Sequence, residues 1–193
     1  MFFDKSVQLL YIYIIRWRKN NYTKEYKLNL QSPRLTLFSA DIEAAGELLP
    51  AFNGDEQFLR WSGYPSGMSM SQVQADIQET IALPGGVTWG ITDSQQQLIG
   101  VAETAWYPSP STGWISLLLI RHAFQKYGYG REVATLLEEY CFSSPTVTEI
   151  GLAVLAQNKP AQAFWEKRGY RRIAQRADTH GNDCYEYRLL RAH

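Results

Sequence analysis

The sequence predicts an α/β fold, and three consecutive segments carry this prediction. An apolar run of strand length at residues 114–120 leads into a loop with two glycines, Gly128 and Gly130. From residue 131 apolar side chains recur at helical spacing, and a second apolar strand-length run follows at residues 149–155. Strand, glycine turn, helix and strand make one βαβ unit, in which we expect parallel strands and a right-handed crossover.

The glycine turn predicts an anion site. Backbone N–H groups in the first turn of a helix have no intrahelical acceptor, and residues without a Cβ atom let an anion approach them. A phosphate or pyrophosphate would fit there, although a glycine pair at a helix start also serves packing alone.

A second pattern follows the βαβ unit. Asn158 precedes a short helical pattern that ends at Gly169, and the residues of the two patterns stand in the order Gln125-x-x-Gly128-x-Gly130 and Asn158-x-x-Ala161-x-x-Phe164-Trp165-x-x-x-Gly169-Tyr170. Together they resemble the acyl-CoA-binding core of the GNAT N-acetyltransferase superfamily, over residues 33–190. A P-loop motif is absent, and the dinucleotide fingerprint needs a third glycine where Val133 stands.

The resemblance implies a GNAT-like α/β fold with a mixed, mostly antiparallel central sheet flanked by helices. The other elements are then expected as strands at 34–39, 87–92, 98–106, 171–177 and 185–190 and helices at 41–49 and 71–82.

Length and composition indicate one domain, and the family pattern places it at residues 32–193 with an N-terminal extension at 1–31. Residues 1–30 carry six basic and two acidic side chains, which leaves the remainder mildly acidic. This balance favours a cationic acceptor and gives no support for nucleic-acid binding. The two cysteines are too few for a disulfide framework or a metal site, which fits a cytoplasmic protein.

The extension at 1–31 lies outside the family pattern. Its apolar stretch at 7–15 is far shorter than the ~20 residues of a membrane span, and no cleavage site of a signal peptide follows it. We expect no membrane association. An accessory helix or strand, an upstream extension, or an oligomer contact such as that of a homodimer remain open.

The resemblance implies acetyl-CoA as the acyl donor and also implies the residues that bind it. The backbone of Leu118 to Ile120 would pair with the pantetheine arm. Asn158 would contact this arm or a bound water, or cap its own helix, and the two roles are compatible. The pyrophosphate loop would comprise Gln125, Lys126, Tyr127, Gly128, Tyr129, Gly130 and Arg131.

One position departs from the family pattern. Trp165 stands where many members have a tyrosine that protonates the leaving thiolate, and an indole N–H cannot transfer a proton at neutral pH. Trp165 would therefore line the acyl-CoA channel or belong to the core. Tyr185 is the candidate general acid, with Tyr170 as an alternative.

Glu103 is the candidate general base, because it interrupts the apolar strand at 98–106 on a face predicted to include Ile99 and Val101. It would face either the cleft or solvent, depending on the register. The acceptor pocket is expected at residues 52–70, with Phe58, Trp61 and Tyr64 available to line it.

The sequence thus predicts an N-acetyltransferase that transfers an acetyl group from acetyl-CoA to a primary amine of a small molecule or protein. Two alternatives stay open: a noncatalytic acyl-CoA-binding module, and an interaction protein that uses the basic N-terminal segment.

Overall fold

Eight strands form one central sheet in the computed structural model, which describes residues 28–178 and 181–192. The strands are β1 (Asn29–Gln31), β2 (Leu35–Ala40), β3 (Val87–Asp93), β4 (Leu98–Trp106), β5 (Thr112–Ile120), β6 (Glu149–Leu155), β7 (Arg171–Ala177) and β8 (Asp183–Leu190). The helices are α1 (Ala45–Phe52), α2 (Glu56–Trp61), α3 (Met70–Ala82), α4 (Tyr129–Ser143) and α5 (Lys159–Lys167), with 3-10 turns at Ile42–Ala44 and His122–Phe124.

The strand order is β1-β2-β3-β4-β5-β6-β8-β7, and the pairing of β5 with β6 is the only parallel pair among the described strands. The α/β class and the mostly antiparallel sheet predicted from the sequence are therefore confirmed. The parallel pair is the βαβ unit, with α4 as its crossover.

Each face of the sheet has its own core. The larger cluster packs α4 and α5 against the strands through residues such as Trp89, Leu137 and Trp165, whereas the smaller one packs α1, α2 and α3 through residues such as Leu48 and Ile77. Neighbouring side chains of a strand point to opposite faces, so the two clusters enclose the sheet from both sides.

Local sequence explains where the helices start. Ser69 and Gln72 form a capping box that begins α3, and the Asp55 carboxylate accepts the Phe58 N–H at the start of α2. Across the described residues, no helix has both the length and the apolar character that crossing a bilayer requires.

The sheet begins inside the segment that the sequence assigned to the extension. Residues 29–31 form β1 and pair antiparallel with β2, whereas residues 1–27 lie outside the described part of the chain. Any oligomer contact of that segment therefore stays a prediction.

Candidate active site

The two parallel strands part after three residues, and this opening is the centre of the site. Residues 112–114 of β5 pair with 149–151 of β6, and no further pair follows among the described residues. Glu149 fixes the closed end, since its Oε1 accepts from Thr112 Oγ1 at 3.1 Å and from Arg188 Nε at 3.2 Å. Beyond it, Ser116 and Ala153 are exposed on the diverging strands.

The parting leaves backbone groups of β5 unpaired toward the opening. The N–H of Arg121 donates to Ile99 O on β4 at 2.9 Å, and strand N–H groups alternate in direction. The N–H groups of Leu118 and Ile120 therefore point away from β4, toward the opening. This is the direction that the predicted pantetheine contact requires, and the contact itself stays a prediction.

The loop before α4 has the geometry of an anion cradle. Lys126 and Gly128 adopt positive φ angles of 69° and 85°, and Gly128 is the N-cap of α4. Within the described residues, no group accepts a hydrogen bond from the N–H groups of residues 126–130. Five consecutive free donors at the positive end of a helix fit a pyrophosphate.

The first flank of this loop is anchored by Gln125. Its Nε2 donates to Ile120 O at 2.8 Å and to the Asp55 carboxylate at 2.7 Å, so both amide hydrogens are used within the protein. The same Asp55 side chain caps α2 through its other oxygen. Gln125 thus ties the loop to the end of β5 and to α2, a tie that sequence spacing does not show.

The second flank is anchored by Arg34, which the sequence analysis did not single out. Its Nη1 donates to Tyr127 O at 3.2 Å, and its Nε and Nη2 donate to Glu132 in the first turn of α4. The guanidinium also lies over the Tyr129 ring, 4.9 Å from its centroid. The loop is therefore held from both sides before any ligand arrives.

The remaining predicted loop residues lie at the surface. Lys126, Tyr127 and Arg131 are exposed, and Tyr127 shows 67% of its surface to solvent. Their side chains are available to a ligand at the helix start, which keeps their predicted contacts open.

Asn158 caps α5, as one of its two predicted roles required: its Oδ1 accepts from the Ala161 N–H at 3.1 Å.

Trp165 belongs to the core. It is 6% exposed and packs edge-on against Phe164 at 4.9 Å and Tyr170 at 5.0 Å. Of the two interpretations of Trp165, the packing favours the core, and a contact with acyl-CoA stays a prediction.

Glu103 lies in neither of the two environments that the sequence suggested. It is 5% exposed, because its side chain is covered by α3. Val101 lies in the core cluster on this face, but Ile99 belongs to the opposite one. The cause is a register shift between β3 and β4 at Ile91 and Thr92, which inserts one extra residue into the start of β4. Ile99 therefore points to the opposite face of the sheet from Val101.

Two acids meet under α3. The Glu103 carboxyl is hydrogen-bonded by Thr80 and by Thr88 Oγ1, the latter at 3.0 Å, and it is also hydrogen-bonded to the Asp76 carboxyl. Two carboxyls can share a hydrogen bond only when one of them holds a proton. Oδ2 of Asp76 is buried and receives no hydrogen bond from any donor in the described residues, so a shared proton would satisfy it.

Burial raises the pKa of Glu103 well above its ordinary value of 4.5, and the neighbouring Asp76 carboxyl adds to the rise. Burial likewise raises the pKa of Asp76, to which the nearby Glu79 contributes, while the hydrogen bond with Glu103 opposes the rise. The two groups titrate as a pair. Sequence analysis missed Asp76 because its partner lies 27 positions away on another element.

The two tyrosines considered as general acids differ in access. Tyr170 is 2% exposed, and burial raises its pKa, so it is a core residue. Tyr185 is half-buried opposite Val154 of β6, and the Arg172 guanidinium lies 3.3 Å from its ring centroid. Tyr185 therefore keeps partial access on a strand next to the opening.

The predicted acceptor region at 52–70 contains a helix that the sequence analysis left out, α2. Phe58 and Tyr64 are partly buried and pack against the smaller core cluster. A groove of about 390 Å³ lies beside them, lined by Asn53, Glu56, Leu59, Arg60 and residues 65–68.

A sheet that parts beside a glycine-started helix with free N–H groups defines an acyl-CoA-dependent acyltransferase. The sequence matches the family model described as acetyltransferase (GNAT) domain over residues 34–171. The chain belongs to the GNAT acetyltransferase family, and acetyl-CoA is its acyl donor. No curated protein matches the chain by sequence.

Solved structures share the fold. An acetyltransferase from Thermus thermophilus aligns with a TM-score of 0.68 at 22% identity, over 84% of this chain and 99% of that chain. An aminoglycoside acetyltransferase in complex with coenzyme A aligns with a TM-score of 0.67 at 20% identity, over 81% and 95% of the two chains. The spermidine N-acetyltransferase from Vibrio cholerae, in complex with CoA and spermine, aligns with a TM-score of 0.65 at 17% identity, over 82% of this chain and 96% of that chain.

Proposed function

We propose that this protein is an N-acetyltransferase that transfers the acetyl group of acetyl-CoA to a primary amine carried by a cationic small molecule or a protein. The observation that carries the proposal is the opening between β5 and β6, which lies beside the free N–H groups of residues 126–130. These groups would hold the pyrophosphate, and the unpaired edge of β5 would direct the pantetheine arm into the opening. When bound, acetyl-CoA supplies the activated thioester.

The distribution of charge supports a cationic acceptor. Residues 35–120, which form β2 to β5 and α1 to α3, contain nine acidic side chains and one basic side chain, Arg60. Two of the acids, Asp76 and Glu103, form the covered pair, which leaves seven acidic side chains against one basic side chain. Residues 121–192, which include the cofactor loop and α4, contain eleven basic and eight acidic side chains. An acidic surface attracts ammonium groups, whereas the basic half suits the phosphates of the donor.

The spermidine and aminoglycoside acetyltransferases among the structural neighbours are named for acceptors with several amino groups. This agrees with the charge distribution and supports a polyamine-like or other multiply charged acceptor. Both cysteines of the chain are free and buried, which is consistent with the cytoplasmic location that we propose.

We assign proton transfer to Glu103 and Tyr185. The residue opposite Glu103 on β5 is Leu117, so the acid pair lies one strand away from the opening. Glu103 would accept the amine proton through an ordered water rather than by direct contact. Tyr185, on β8 next to β6, would protonate the departing thiolate.

An amine panel tests the proposed function. With acetyl-CoA as donor, we expect higher kcat/KM for spermidine and for an aminoglycoside than for a neutral or zwitterionic amine, and we expect this preference to weaken as salt rises, because surface charges are screened. Equal rates for all amines, independent of salt, would contradict the acidic acceptor side.

A noncatalytic acyl-CoA-binding module is the second candidate. Two observations favour it: Trp165 is packed in the core, and Glu103 is covered by α3. Retained binding of acetyl-CoA without turnover of any amine on the panel would select this candidate. An interaction role of the basic N-terminal segment would show in a pull-down with and without residues 1–31.

A further inference from the structure

Arg34 and Glu132 connect the start of the domain to the cofactor loop. Arg34 stands just before β2, and Glu132 lies 98 positions later in the first turn of α4. The Arg34 guanidinium binds one Glu132 oxygen through both Nε, at 2.9 Å, and Nη2, at 2.5 Å. The Ser32 hydroxyl donates to the other oxygen. Both oxygens of this carboxylate therefore have donors.

A carboxylate at this place opposes the proposed ligand. Gly128, Arg34 and Glu132 line one open groove of about 520 Å³ at the start of α4. Although burial acts to raise the pKa of Glu132, the hydrogen bonds from Ser32 and Arg34 lower it below its ordinary value, so the group is ionised at neutral pH. Without Arg34, its negative charge would stand beside a bound pyrophosphate.

The same guanidinium controls the shape of the loop. Its Nη1 donates to Tyr127 O, between the two loop residues with positive φ, Lys126 and Gly128. The carbonyl is thereby turned toward the arginine, while the N–H groups of residues 126–130 stay free. One side chain thus acts on both the charge and the geometry of the cradle.

We propose that Arg34 is a positioning residue for acetyl-CoA, which neutralises Glu132 and holds the Tyr127 carbonyl away from the incoming phosphates. The proposal rests on residues 126–130 being the pyrophosphate site. It assigns to the Ser32–Arg34 turn a role in cofactor affinity that the motif pattern of α4 does not contain.

The test is the dissociation constant of CoA measured by calorimetry, which does not depend on an amine acceptor. We expect Arg34→Ala to weaken CoA binding about 10- to 100-fold, because an uncompensated charge then lies close to the phosphates. The double variant Arg34→Ala with Glu132→Gln should recover at least about half of that loss on a logarithmic scale, since the opposing charge is gone. Saturating acetyl-CoA should restore kcat, so that the defect lies in KM.

Arg60→Ala is the matched control. It also removes an exposed arginine that is paired with a glutamate, at 3.6 Å from Glu56, but it lies outside the cofactor loop and should leave CoA affinity unchanged. Arg34→Gln replaces Arg34→Ala if the latter does not fold. The ratio of wild-type to Arg34→Ala affinity should also shrink as salt rises from about 0.05 to 0.5 M, where screening shortens the reach of charge.

Unchanged CoA affinity in Arg34→Ala would overturn the proposal. A defect that the Glu132→Gln change does not relieve, or that salt does not alter, would overturn the charge neutralisation. If wild type turns over amines, and neither Arg34→Ala nor the double variant changes CoA affinity, this inference alone is refuted. A wild-type protein that does not bind CoA refutes the assignment of the cofactor loop.

Discussion

At the scale of single residues, the backbone of Gly128 determines whether the loop can accept an anion. Its φ of 85° is a conformation that glycine adopts without strain, and a Cβ placed there would have the Arg34 guanidinium 3.6 Å away as its nearest neighbour. The space in front of the loop is therefore open on the protein side, which allows a substitution to be judged by its effect on the ligand.

We expect Gly128→Asp to fold but to lose CoA binding, because the new carboxylate would occupy the pyrophosphate site with like charge. In wild type, CoA at a hundredfold excess over its Kd adds about 2.7 kcal/mol, or roughly 5 to 10 °C in Tm. The variant should show no such shift. Gly63→Asp is the control, since Gly63 has a similar φ of 82° and open surroundings elsewhere. If Gly128→Asp binds CoA normally, Gly128 is only a turn residue.

Glu103→Gln should lower turnover by about 10²- to 10⁴-fold, the range for loss of a general base, with little change in acetyl-CoA affinity. The raised pKa of Glu103 predicts the pH profile. The advantage of wild type should grow as the carboxyl ionises, and then shrink toward pH ~9.5, where solvent deprotonates more of an amine with a pKa of about 10.4. Equal rates across the range would remove Glu103 from the mechanism.

At the scale of elements, sequence periodicity predicts helices and strands with a repeated apolar pattern. It does not predict very short elements or contacts between residues distant in sequence. The spacing of apolar residues predicted β5, α4, β6 and α5, whereas β2, β3, β4, β7, β8, α1 and α3 were expected only from the family resemblance. It did not predict α2, which has only six residues and depends on the Asp55 cap, nor β1, which has three. The pairing of α3 with Glu103 also depends on the tertiary fold, which no local pattern encodes.

This contact between α3 and β4 should make stability depend on pH. Asp76 and Glu103 both have raised pKa values in the folded state, so the folded protein binds more protons than the unfolded chain above the ordinary carboxyl range. The contribution of this pair to stability is therefore greatest below that range and is lost as pH rises through the folded pKa values. Wild type should lose Tm between pH ~5 and pH ~8 partly for this reason.

Asp76→Asn should reduce this loss and raise Tm at pH ~8, because it removes one of two buried acids and leaves an amide that can hydrogen-bond Glu103. Thermal unfolding at several pH values measures the effect. Glu47→Gln on α1 is the control, since Glu47 is an exposed carboxylate. A parallel Tm profile for Asp76→Asn and wild type would show that the acids do not share a proton.

At the scale of the whole molecule, a formal net charge of zero hides two halves of opposite sign. Composition alone indicates only that the chain after residue 30 is mildly acidic. The fold shows that residues 35–120 supply the acidic α1 to α3 side, whereas residues 121–192 supply the cofactor loop. The sign of each half became meaningful only once the fold had assigned α1 to α3 to one half and the cofactor loop to the other.

The extent of the central sheet determines what the N-terminal segment contributes to the fold. The sequence placed the boundary of the domain after residue 31, but β1 pairs with β2 at Leu30 and Leu37, and Ser39 N donates to Leu28 O at 2.8 Å. Removing residues 1–27 leaves these pairs intact. Removing residues 1–31 exposes the edge of β2, which is then free to pair with other chains.

We therefore expect the variant without residues 1–27 to keep its Tm and its CoA affinity. The variant without residues 1–31 should have a lower Tm and aggregate more readily, yet still bind CoA while folded, because Ser32 and Arg34 remain. Calorimetry and light scattering measure both properties, and light scattering also tests the proposed homodimer contact of this segment. A folded protein that lacks residues 1–27, keeps its oligomeric state and no longer binds CoA would give these residues a direct part in the cofactor site.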